Sequence, residues 1–75
     1  MKGTQRLDAA RLKALRDAKC ISQEDLSHAC QAKHLRLSLA TIKRAEAGRP
    51  VSYRTIREFS AFYAVPLSVL TGKSR

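Results

Sequence analysis

An all-α fold of five short helices is what this sequence predicts, and three observations carry the prediction. Apolar residues recur at helical spacing, without the alternation of strands. Serines stand as N-caps before three of the periodic stretches. Three glycines and two prolines leave little chain for long turns. At 75 residues the chain makes a single domain, residues 1–75, with an ordered core of about 7–71. Hydrophobic residues are 44% of the total, enough to place it outside the disordered class.

The first helix covers residues 7–19. Leu12 and Leu15 lie three apart, Ala18 follows on the same side, and Arg11, Lys13 and Asp17 fill the rest. Asp8 in the first turn and Lys19 in the last both suit the helix dipole. Ser22 caps a second helix over residues 23–30, with Asp25 three places on as a shortened capping box. Ile21 staples onto Leu26, and Leu26 and Cys30 face inward. Residues 31–37 show no clear period. Ser38 caps a third helix over residues 39–47, with Ile42 and Ala45 inward, Gly48 as its left-handed stop and Pro50 beyond. Ser52 caps a fourth over residues 53–63, where Ile56, Phe59 and Tyr63 share a face. Pro66 opens a fifth with Leu67 and Leu70 as its apolar residues and Gly72 as its stop.

Charge narrows the function. Fifteen Lys and Arg against six Asp and Glu give a net +9. Within residues 33–57, Lys33, Arg36, Lys43, Arg44, Arg49, Arg54 and Arg57 face a single acid, Glu46. Such a tract repels itself, and binding a polyanion is the usual reason to keep it, because each phosphate contact releases condensed counterions. A solvated basic face is the bland alternative. No run reaches the roughly 18 apolar residues of a membrane span, and charges interrupt the N-terminal segment where a secretory signal needs an apolar stretch. With Cys20 and Cys30 read as reduced thiols, a cytoplasmic protein without membrane contact is expected.

Enzymatic chemistry finds no foothold. A chain this small encloses no large cleft, and His28 and His34 have no partner that suggests acid–base work. Cys20, His28, Cys30 and His34 raise zinc, but no Cys-x-x-Cys knuckle is present and Cys30 reads as a core residue. Gly72-Lys73-Ser74 echoes a phosphate-binding loop, yet Leu67 stands where that motif needs glycine. Tyr53, Phe59, Phe62 and Tyr63 read as core and rim of the fourth helix. Neither an enzyme nor a bound metal or cofactor is expected.

The string Ile21-Ser22-Gln23-Glu24-Asp25-Leu26, then 38–48 with Thr41-Ile42 and Glu46-Ala47-Gly48, then Pro50 and Thr55-Ile56, resembles the Cro and phage-repressor (XRE-type) helix-turn-helix family. The resemblance spans roughly residues 7–71 and implies a lambda-repressor-like domain that binds double-stranded DNA as a transcriptional regulator, or as the N-terminal module of one. Family members often carry a downstream effector domain, and a homodimer is compatible with the pattern. By that resemblance the second helix crosses the DNA backbone and the third enters the major groove. Leu39, Ala40 and Arg44 then face bases, with Arg44 suited to a guanine edge, and Thr41 and Lys43 reach a base or a phosphate. Gln23 matches the family's phosphate-contacting glutamine, and Lys33, Arg36, Arg49 and Arg54 are further phosphate candidates. Arg16 and Glu46 match a pair expected to bridge the first and third helices.

Departures from the family are clear. Seven residues separate Cys30 from Ser38, against about 3–4 in the usual turn. Either the second helix runs on by a turn or an enlarged loop presents Lys33, His34 and Arg36, with Leu35 or Leu37 anchored in the core. Cys20 and Ala64 occupy positions where glycine is common. Two rival readings stand beside DNA: a protein-interaction module of the same fold (an antitoxin-like subunit), and RNA binding, for which a helix shaped to a wide major groove has little use.

Overall fold

Each of the four longer helices begins where a short polar side chain accepts a backbone N–H. The computed structural model describes residues 3–71. Helix α1 (Ala9–Ala18) is capped by Asp8, whose carboxylate accepts from the Arg11 amide at 3.1 Å. Asp8 is therefore the cap and not a first-turn residue, and the helix is shorter at each end than the predicted 7–19. Helix α2 (Gln23–Ala32) has the full capping box: the Asp25 amide donates to Ser22 Oγ at 3.0 Å and the Ser22 amide donates to the Asp25 carboxylate at 3.2 Å. Ser38 and Ser52 cap α3 (Leu39–Glu46) and α4 (Tyr53–Tyr63) in the same manner. A fifth helix, α5 (Leu67–Thr71), follows Pro66. Its predicted stop, Gly72, and the Gly72-Lys73-Ser74 echo lie outside the described residues.

The four longer helices also end alike. A residue in the left-handed region follows each: Cys20 (φ 56°), His34 (φ 62°), Gly48 (φ 81°) and Ala64 (φ 57°). Behind α2 the Leu35 amide donates to the Cys30 carbonyl and the His34 amide to Gln31, the paired bonds of a Schellman motif. Behind α3 the Arg49 and Gly48 amides do the same to Arg44 and Ala45. Only one of the four positions has the residue that adopts this geometry without strain.

This resolves the long connection. Helix α2 runs on to Ala32, turns back at His34, and an extended stretch leads into Ser38. Leu37 is fully buried and Leu35 packs against the core from the edge, so both leucines anchor the segment.

The fold is mostly helical but not strictly all-α. Strands β1 (Thr4–Gln5) and β2 (Val51–Ser52) pair antiparallel, Thr4 opposite Ser52 and Gln5 opposite Val51. The Tyr53 amide extends the ribbon by donating to the Gly3 carbonyl, and the Asp8 amide donates to the Leu70 carbonyl at 2.7 Å, tying the start of α1 to α5. Secondary structure therefore begins before residue 7, at Thr4. No two-residue strand carries a readable alternation, and its partner lies far along the chain, so local pattern misses it.

Leu12, Leu26, Cys30, Leu37, Ile42, Ala45, Phe59 and Leu70 form the centre of the core, with Leu7, Val51, Ile56 and Tyr63 around them. Ala18, predicted inward, is exposed, and so is Leu67, because α1 and α5 each turn only a narrow stripe to the core. Among the described residues no helix is long and apolar enough to cross a membrane.

Two predictions follow from these features. Ala64→Gly relieves a left-handed alanine and raises stability by about 1 kcal/mol, and Cys20→Gly acts in the same direction; an unchanged or lower denaturation midpoint contradicts this. Burial pushes the Cys30 thiol from its usual 9.0 up to about 11, with the Glu58 carboxylate adding to the rise. Because the folded chain holds this proton more tightly than the unfolded one, stability is intact below pH 9.0 and declines as pH rises towards about 11. Tyr63, its phenol also pushed up by burial, adds to the decline. Chemical denaturation across this alkaline range checks the slope, which is shallower in Cys30→Ala.

Candidate nucleic-acid interface

Helix α3 divides cleanly into two faces. Ile42 and Ala45 are fully buried and Glu46 is 3% exposed, while Ala40, Lys43 and Arg44 are exposed. These three lie at i, i+3 and i+4 and so share one side of the helix. Leu39 and Thr41 flank it, both half-buried. The outward face therefore presents two cations and a methyl group, with no acid on it.

The inner end of α3 is fixed by charge. Arg16 on α1 meets Glu46 with two bonds, Nε to Oε2 at 2.8 Å and an Nη nitrogen to Oε1 at 2.9 Å. The other Nη nitrogen donates to the Ile21 carbonyl at 3.0 Å, in the turn between α1 and α2. The hydrogen bond to Glu46 holds the guanidinium's pKa above its ordinary value, so Arg16 stays charged. Gln23 Nε2 on α2 donates to Glu46 Oε1 at 3.0 Å. One carboxylate is thus held by side chains from both preceding helices.

That bond uses one of the two N–H donors of the Gln23 amide and leaves the other, with the carbonyl oxygen, outside the bond to Glu46. Lys33 is exposed, and its ammonium sits 5.6 Å from the centre of the Phe62 ring, as does that of Lys19. Arg36, Arg49 and Arg54 are exposed. Arg36 lies in the extended segment before α3 and lines a shallow hollow with Gln31 and Ser38. Arg49 follows the Gly48 turn, and Arg54 stands in the first turn of α4.

Arg44 borders a groove of about 210 Å³ lined also by Thr4, Thr41, Pro50, Val51, Ser52 and Thr55. Four hydroxyl-bearing residues thus line the groove with Arg44. Neither α3 nor α4 has an acid in its first turn, whereas α2 has Glu24 and Asp25 there. The positive ends of α3 and α4 are therefore not neutralised by their own side chains. Ser52 and Thr55 are visible in the sequence as a cap pattern, but not as neighbours of Arg44. Thr4 joins them only through the ribbon, for which the sequence carries no signal. Among the described residues no three His, Cys, Asp or Glu side chains gather as a metal site.

Replacing Arg16 alone with Met leaves Glu46 buried with Gln23 as its remaining side-chain partner, and costs about 3 kcal/mol. Replacing both Arg16 and Glu46 with apolar residues costs less than the sum of the single changes, with a coupling of roughly 1–3 kcal/mol. Denaturant titration of the four proteins of this double-mutant cycle measures the coupling; additive losses contradict a working pair.

No protein-family model, no curated protein and no solved structure matches the chain.

Proposed function

We propose that the chain binds double-stranded DNA sequence-specifically through α3, in the manner of a lambda-repressor-like helix-turn-helix, and acts as a transcriptional regulator or as the DNA-binding module of one. The observation that carries this reading is the two-faced α3: its inner end is held by Arg16 and Gln23 through Glu46, and its free face carries Ala40, Lys43 and Arg44. A short helix with fixed tilt and a cationic outer face suits the major groove, where an arginine donates two bonds to a guanine edge and a methyl group meets thymine.

Phosphate contacts supply most of the affinity and no sequence information. Arg36 before α3, Arg49 after it and Arg54 at the start of α4 bracket the reading face along the chain, and the first-turn amides of α3 and α4 add positive ends without acids. The net charge of +9 supports the same partner. Lys33, exposed at the end of α2, and the second N–H of Gln23 are further phosphate donors in this reading.

Binding to duplex DNA weakens by orders of magnitude between low and moderately raised salt, as several phosphate contacts require. Arg44→Ala costs about 1–3 kcal/mol on a preferred site and little on unrelated duplexes, whereas Arg36→Ala lowers affinity evenly. Fluorescence anisotropy on both kinds of duplex makes the comparison. A flat salt response counts against DNA, and identical behaviour of the two variants reduces Arg44 to a phosphate contact.

A further inference from the structure

Tyr53 and Leu67 are the large apolar side chains left exposed among the described residues, at 48% and 45%. Single exposed apolar residues are ordinary and need no explanation. These two, however, line the same groove of about 310 Å³, which lies between β1, the start of α4 and α5. Ile56, 4% exposed, forms part of its wall, and Gln5, Arg57 and Thr71 are the other described residues that line it. An apolar hollow with a few polar groups at its edge is the usual form of a docking site.

Charge identifies the occupant. Among the described residues Arg57 is the one ionisable group in the lining, it is exposed, and it has no salt-bridge partner. We propose that this groove docks a short segment of a partner protein in which an apolar side chain stands next to a carboxylate. The apolar side chain fills the space between Tyr53 and Leu67 and removes both from water. The carboxylate meets the Arg57 guanidinium, and Gln5 and Thr71 offer hydrogen bonds to the segment's backbone.

A second copy of the chain is disfavoured. Each copy carries +9, and a two-fold pairing on this face brings one Arg57 towards the other without supplying a lining carboxylate. The groove is also separate from the one beside Arg44. The two share no lining residue: Thr4 lines the one and Gln5 the other.

The test is an NMR titration of the isotopically labelled chain with an amidated peptide of alternating leucine and glutamate. Two control peptides carry lysine in place of glutamate and alanine in place of leucine. Saturable shifts at Gln5, Tyr53, Arg57 and Thr71 with the first peptide, and weak or no binding of either control, are expected. Leu67→Glu and Arg57→Glu, both at exposed positions that spare the core, each weaken binding about tenfold or more. Equal binding of the alanine peptide, or shifts confined to α3, overturns the proposal by reducing the effect to net charge. Self-association that Leu67→Glu abolishes, read by sedimentation, overturns it in favour of a second copy.

Discussion

The buried carboxylate of Glu46 is the constraint on which the arrangement of helices depends. A charge at 3% exposure is costly unless every lone-pair direction that faces protein is met. Meeting it draws in Arg16 from α1 and Gln23 from α2, and the same guanidinium reaches the Ile21 carbonyl between them. Apolar contacts from Ile42 and Ala45 hold α3 against the core, but such contacts permit small rotations. Two parallel bonds from a planar guanidinium do not. Helix α3 is only eight residues long, too short to persist without its neighbours, so its orientation is set by this network together with its cap. Which side chains project outward, Ala40, Lys43 and Arg44, is a consequence of that orientation.

Helix ends show where the fold spends conformational energy. Three of the four left-handed positions that close the longer helices hold residues with a Cβ. His34 is the one that lengthens the connection between α2 and α3, and its strain is offset by two Schellman bonds and the burial of Leu37. Anchored in this way, residues 35–38 form a defined approach from the His34 turn to the Ser38 cap. Helix α3 is therefore held at both ends, at its start by the core through Leu37 and at its last residue through Glu46.

Much of this was legible in the sequence because it is local. Ser22, Ser38 and Ser52 announce three helix starts through the spacing of a side-chain oxygen and a backbone amide, and Leu26, Cys30, Ile42, Phe59 and Tyr63 announce inward faces by period. The ion pair between Arg16 and Glu46 was reached through a family pattern, since no local spacing links residues on different helices. What escaped is non-local or side-chain specific. The ribbon joins Thr4–Gln5 to Val51–Ser52 with too few residues to show alternation. Gln23 reads, by resemblance, as a phosphate-contacting glutamine at a helix start, and its bond to Glu46 exists only because α3 packs beside it. Lys33 reads as one more cation in a basic tract until Phe62 is found beneath its ammonium. Asp8 reads as a first-turn residue of a helix that starts at residue 7 and is instead the cap of one that starts at Ala9, because a cap and a first-turn acid look alike in sequence.

The central claim is that a fixed α3 presents a face that discriminates between DNA sequences. Selection of bound duplexes from a random pool tests it most directly, carried out in parallel on the unaltered chain and on Arg44→Ala. The account predicts that the unaltered chain converges on a short preferred site and that the variant loses preference at one base pair while keeping the rest. A pool that stays random, even with salt-sensitive affinity, contradicts it and leaves the basic tract as a surface for phosphate alone.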